Sequence, residues 1–263
     1  MKPFSVDVEA VRLFGMPVHP VTMRQALDIA DAAIARRERL RIGVVNAAKV
    51  VNMHRNPELG EDVTSSDLIL ADGIAVVWAS RMLGHALPER VPGIDLMMGM
   101  LRRGNEHGYR IYCLGATDEV LRKVVERIGS DYPNVVLAGW HHGYFSQNEE
   151  APLADLIAAA RPDILLVAMT SPKKEKFLAR WGAHIAAPVC HGVGGSFDVL
   201  AGKVQRAPES WQRLGLEWLY RLKQEPSRLW RRYLVTNTLF CSMLLVELWR
   251  KLRTGSTEKR TGI

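Results

Sequence analysis

The residues of this chain best suited to chemistry fall at the ends of short apolar runs. Asp72 stands in Ala71-Asp72-Gly73, straight after one such run. A carboxylate there is either a turn residue capping the next helix or a general base at the edge of a cleft. The pentapeptide SPKKE at 171–175 puts two lysines and a glutamate after another run. It is either a solvated corner or a seat for something anionic. Gly192-Val193-Gly194-Gly195 would let a backbone approach a ligand closely, but it matches neither G-x-G-x-x-G nor the P-loop pattern. Gly115-Ala116-Thr117 could receive a phosphate at a helix N-terminus. Asp118 and Glu119 already complement that end of the helix, so plain capping is an equal reading. Arg221, Arg228 and Arg231 would share a face on a continuous helix, although Pro226 is expected to interrupt it near Glu225. A solvated basic face is the ordinary reading of such a run.

Other chemistries find little support. His141 and His142 are adjacent, and neighbours on a strand point to opposite faces, which argues against joint metal ligation. No D-x-D occurs, so neither a metal nor a cofactor is expected, and a diphosphate would have to be met by arginine and lysine. Cys113, Cys190 and Cys241 form no C-x-x-C pair and read as reduced thiols. The net charge of +7 calls for an anionic partner: nucleic acid, a phosphorylated ligand or an acidic membrane. No nucleic-acid reader motif is present, so nucleic acid is not the expected partner. The chain has no apolar stretch of about 18 residues and no signal core at its start, which predicts a cytosolic, non-spanning protein.

The apolar runs at 40–45, 68–71, 109–114, 135–138, 163–169 and 188–191 alternate with helical spacing, as in 118–128. This predicts an α/β fold, a Rossmann-like and mainly parallel sheet with helices on both faces. Such sheets place sites outside the carboxyl ends of their strands, which is where Asn46, Asp72, 115–117, 141–143, 171–175 and 192–198 fall. Near Arg206 the composition turns rich in Arg, Trp and Leu. We expect an α/β core over 1–205, a helical appendage over 206–253 and a disordered polar tail over 254–263. Trp230, Phe240, Leu244, Leu245 and Trp249 beside basic residues suit a helix lying in an acidic bilayer surface. Asn237 and Glu247 argue against its spanning the membrane.

In this order the signals resemble the WecG/TagA/CpsF family of bacterial glycosyltransferases. The stretches that carry the resemblance are VVNAAKVV, LILADGIAVVW, ERVPGIDLM, YCLGATDEV, GWHHGYF, SPKKE, GVGGSFDVLAGKVQRAP and LGLEWLYRLKQEPSRLWRRY, over about 17–233. The resemblance implies an inverting, metal-independent transfer from a UDP-sugar to a polyprenyl-diphosphate-linked saccharide. It places the enzyme as a peripheral protein on the cytoplasmic face of the inner membrane, against anionic lipid, with a homo-oligomer allowed. It makes Asp72 the catalytic base, with Asn46 beside it. Arg90, Lys174 and Glu175 go to the donor pocket and Asp198 to its nucleotide side. Arg221, Arg228 and Arg231 become the appendage cations for the donor diphosphate. Val44 stands where the family often has threonine, and Lys174 replaces the glutamine of the usual G-x-P-K-Q-E loop. That loop resembles the xanthan-type exopolysaccharide β-1,4-glucosyltransferases, so UDP-glucose is the expected donor. UDP-N-acetylmannosamine or its uronic acid is the alternative. A non-catalytic membrane scaffold and a basic nucleic-acid-binding protein are the readings from other classes.

Overall fold

The computed structural model describes residues 1–258, except for the side chains of Arg213, Arg228 and 254–258. The chain opens with a hairpin, β1 (Val11–Leu13) and β2 (Met16–Val18), that no apolar run announced. Then come α1 (Met23–Arg36), β3 (Leu40–Val45), α2 (Ala47–Arg55), α3 (Pro57–Thr64), β4 (Leu68–Ala71), α4 (Ile74–Met82) and α5 (Gly93–His107). The second half continues with β5 (Arg110–Gly115), α6 (Asp118–Asp131), β6 (Val136–His141), α7 (Glu150–Ala159), β7 (Ile164–Ala168), α8 (Lys173–Ile185), β8 (Val189–Gly192) and α9 (Ser196–Leu200). Three helices close the described chain: α10 (Glu209–Arg213), α11 (Glu217–Gln224) and α12 (Pro226–Glu258).

Strands β3 to β8 form one parallel sheet in the order β4-β3-β8-β7-β5-β6. Side chains alternate between its faces, as the two-residue period of a strand requires. Ile164, Leu166 and Ala168 of β7 join one hydrophobic cluster with α1, α5 and α6, whereas Leu165 and Val167 join another with α7 and α8. Both faces are therefore covered, which is why the strands read as continuous apolar runs. Local signals set the helix starts. Thr22 closes a capping box with Gln25 at α1, and Asn46 and Thr117 cap α2 and α6 through their side chains.

The appendage helices break where proline was expected to break them, with Glu225 between α11 and α12. Helix α12 folds back over α2 and the hairpin. Its Phe240 is buried 5.1 Å from the ring of Phe14, and Leu244 packs beside it. Two of the five apolar residues expected to face a membrane thus hold the helix to the core instead. Trp230, Leu245 and Trp249 remain exposed. Among the described residues no helix is long and apolar enough to cross a membrane. The expected tail at 254–263 overlaps the end of α12, and 259–263 lie outside the described residues.

Phe240→Ala should remove the main anchor of α12 and cost about 3 kcal/mol, the usual loss for a buried aromatic ring. Urea unfolding reads this directly, and a loss below about 1 kcal/mol would show that the ring is not the anchor.

Candidate active site

Strands β3 and β4 pair in register, Val45 opposite Ala71, so the residues that follow them are neighbours. The Asp72 backbone N–H donates to the Val45 carbonyl at 2.9 Å, and its side chain turns toward α2 and α5. Asn46 Nδ2 donates to Asp72 Oδ2 at 3.1 Å, and the Gly93 N–H donates to Oδ1 at 2.9 Å. Gly93 opens α5, so its N–H is one of the donors a helix leaves unpaired at its start. The carboxylate meets both that donor and the positive end of the helix dipole. Asn46 has no choice of orientation, because its Oδ1 accepts the Lys49 N–H at the start of α2 and Nδ2 must face Asp72. Gly73, not Asp72, is the N-cap of α4, and no side chain caps that helix. The turn-capping reading of Asp72 therefore fails. Gly73 is also closely packed, since a Cβ there would lie 3.0 Å from the Asn46 Cβ.

The charges of SPKKE turn inward. Lys173 begins α8 and donates to the carbonyls of Gly143 (3.0 Å) and Phe145 (2.8 Å), with its ammonium 4.0 Å from the Phe145 ring centre. It stitches the loop after β6 to α8. The side chain of Lys174 is buried along the glycine-rich loop: a Cβ on Gly192 would meet its Cδ and Cε at 3.2 Å. Burial, reinforced by the charge of Lys49, pushes the Lys174 amine down to about 8. Glu175 is buried between the two lysines, bonded to Lys49 Nζ and 3.6 Å from Lys174 Nζ. Burial alone would raise its carboxyl, but Lys174 and Lys49 outweigh it and hold the group below the usual glutamate range. Its Oε2 has no partner among the described residues. Lys49, Lys174, Glu175 and Gly192 line a cavity of about 20 Å³, room for one water.

The remaining predicted residues lie around this centre. Arg90 pairs with Glu217 of α11 at 3.3 Å. Asp198 sits in the first turn of α9, 3.8 Å from Lys203. Arg221 is on α11 and Arg231 on α12, so they do not share one helix, and the Arg228 side chain lies outside what is described. His141 and His142 do not point apart. Their rings lie 4.5 Å from each other, because β6 ends at His141 and strand alternation stops there.

Sequence reasoning missed four residues. Lys49 stands three after Asn46, a spacing that marks capping but not an ion pair. Gly93 contributes only backbone. Glu217 reaches the core from the appendage. His191 is wholly buried and held neutral, its imidazole pushed down to about 4 by burial, and its Nε2 lies 3.1 Å from the Gly93 carbonyl at the start of α5.

Known proteins bear on this geometry. The family described as "Glycosyl transferase WecG/TagA/CpsF family" matches residues 11–254. An "N-acetylglucosaminyldiphosphoundecaprenol N-acetyl-beta-D-mannosaminyltransferase" of Bacillus spizizenii is 39% identical over 180 residues, covering 68% of this chain and 69% of the relative. A protein of the same description from Bacillus subtilis is 41% identical over 172 residues, covering 65% of this chain and 66% of its own length. Neither description names glucose as the sugar moved. The expectation of UDP-glucose as donor gains nothing from them, and the N-acetylmannosamine alternative does.

Asn46→Asp should keep the cap of α2 while setting a second carboxylate against Asp72, and like charges raise the pKa of one of the pair. A carboxyl raised in the folded state binds its proton there first, so stability should fall as pH rises from about 4, the unfolded carboxylate value, toward neutrality. Asn46→Ala should instead lose about 1 kcal/mol of capping at every pH in that range. Unfolding curves at several pH values distinguish the two, and parallel pH profiles for both variants would show that the contact with Asp72 is absent.

Proposed function

The chain belongs to the WecG/TagA/CpsF family of glycosyl transferases, and we propose that it moves a sugar from a UDP-sugar to a polyprenyl-diphosphate-linked saccharide, inverting the anomeric centre. The observation that carries this reading is the half-buried Asp72 carboxylate, whose two oxygens each accept one fixed donor at the carboxyl edge of the sheet. A carboxylate has about four acceptor positions, so two remain for a substrate hydroxyl. In the proposed reaction Asp72 takes the proton of the acceptor hydroxyl as its oxygen bonds to the anomeric carbon. The bond from that carbon to the diphosphate oxygen breaks, and its electron pair leaves with UDP. A single displacement of this kind inverts the centre. The developing charge falls to Lys174, Arg90 and the appendage cations Arg221, Arg228 and Arg231, in place of a metal. Asp198 is assigned to the nucleotide side, and Lys49 and Glu175 keep Lys174 in place.

Two observations bear on the sugars. The descriptions of both relatives support N-acetylmannosamine as the sugar moved and N-acetylglucosaminyl-diphospho-undecaprenol as the acceptor. Lys174 favours glucose: an ammonium has donors and no acceptor, whereas the family's amide offers both to an acetamido group. A product in an exopolysaccharide goes with glucose, and a cell-wall polymer with N-acetylmannosamine. The acceptor is membrane-bound, and the exposed Trp230, Leu245 and Trp249 suit peripheral attachment to the cytoplasmic side of the membrane.

A donor screen with UDP-N-acetylmannosamine, UDP-glucose and their uronic acids on lipid-linked acceptors tests the reading. We expect transfer from one of them, and Asp72→Asn should lose roughly 10²–10⁴ in kcat while keeping its far-UV spectrum. Full turnover in that variant removes Asp72 from the chemistry, and inertness with every donor favours the non-catalytic scaffold.

The Lys174 ammonium is charged below about 8 and neutral above it. UDP affinity should therefore fall as pH rises from about 7 to 9, and Lys174→Gln should flatten that fall. Calorimetric titration of UDP across this range reads both profiles, and a wild-type profile in Lys174→Gln would place the lysine away from the diphosphate.

A further inference from the structure

The ionic contact between α11 and the core centres on Glu217. Its carboxylate lies 3.3 Å from Arg90 and 3.7 Å from Arg206, and it is mostly buried between them. Arg206 in turn grips Asp95 at 2.7 Å, in the first turn of the helix whose leading N–H holds Asp72. On its other side α11 rests against α12, with the Trp218 and Tyr233 rings 5.6 Å apart, edge to face. Gln224 at the far end of α11 donates to the Gln205 carbonyl at 3.0 Å. Glu217 and Arg221 are four residues apart on α11, so they project from one face of it. Arg221 forms no salt bridge among the described residues and is half-buried.

From this arrangement we propose that Glu217 is a positioning residue. Held in the fork of Arg90 and Arg206, it fixes the rotation of α11 so that Arg221 faces the cleft of Asp72. The proposal rests on the diphosphate role given to Arg221 above. Without the fork, an eight-residue helix held by ring contacts and one hydrogen bond at its far end could turn about its axis. Turning it by one residue would swing Arg221 about 100° away from the cleft. The fork prevents this, because a carboxylate aimed at two guanidinium groups from different segments has one satisfactory rotation. Glu217 also meets the charge of the half-buried Arg90, so that this arginine is not left uncompensated.

The test is a double-mutant cycle on the full chain: wild type, Glu217→Gln, Arg221→Gln and the double variant. Each is titrated with UDP and assayed for transfer, well below its melting temperature. A misplaced group and a missing one cost similar amounts, so each single variant should weaken UDP affinity roughly tenfold. The double variant should be no more than about twofold worse than Arg221→Gln alone, because Glu217 acts through Arg221. Glu217→Asp keeps the charge and should retain most of the affinity. Additive losses, wild-type affinity in Glu217→Gln, or equal losses in the Gln and Asp variants would each overturn the proposal while leaving the function intact. Wild-type affinity in Arg221→Gln would overturn the diphosphate role of Arg221, and this proposal with it.

Discussion

The carboxylate of Asp72 is held by two donors from different elements, the side-chain amide of Asn46 and the first backbone N–H of α5, and the rest of the molecule is arranged so that both arrive together. Hydrogen bonds to a charged acceptor contribute about 1.5–3 kcal/mol each, enough to fix a side chain that a solvated turn would leave free. Each donor has its own support. Asn46 is locked by capping α2. Gly93 is locked because the buried His191 ring meets its carbonyl and so fixes where α5 begins. Held in this way, Asp72 would spend no energy on reorientation in the role proposed for it.

Next to this anionic centre the chain buries a second group of charges. Lys49 comes from α2 and Lys174 and Glu175 from α8, helices on the same face of the sheet, and two ammonium groups share one carboxylate. Taking charges out of water is costly, and a carboxylate between two lysines repays only part of that cost. The surplus positive charge is what suits the group to an anionic ligand. Lys174 is close enough to Asp72 for that charge to act on it, so the proposed base and the proposed anion seat share one electrostatic field.

The appendage faces two ways at once. Its apolar residues divide: Phe240 and Leu244 fasten α12 to the hairpin and α2, while Trp230, Leu245 and Trp249 stay exposed. Its charged residues divide too, with Glu217 and Arg206 directed at the core. A helix that is apolar around much of its circumference can pack on protein along one side and keep another for lipid.

Strand and helix order followed from local pattern, because a strand buried on both faces must be apolar throughout and a helix start favours a capping side chain. The runs at 40–45 and 68–71 became β3 and β4 with the same bounds, and the turn at 115–117 caps α6 through Thr117. The place of Asn46 beside Asp72 was implied by the family resemblance, and the pairing of β3 with β4 supplies its physical cause. The hairpin was not legible, because three-residue strands are too short for a period to show. Nor were the partners that settle the site: Gly93 acts through its backbone and leaves no mark in residue type. Glu175 meets Lys49 across 126 positions, and Glu217 meets Arg90 across 127. Residue types and short-range spacing thus determined the elements, their order and the candidate base. Only the tertiary structure decided which charges face one another, because an ion pair depends on distance in space and any of the many lysines, arginines and glutamates could have met any other.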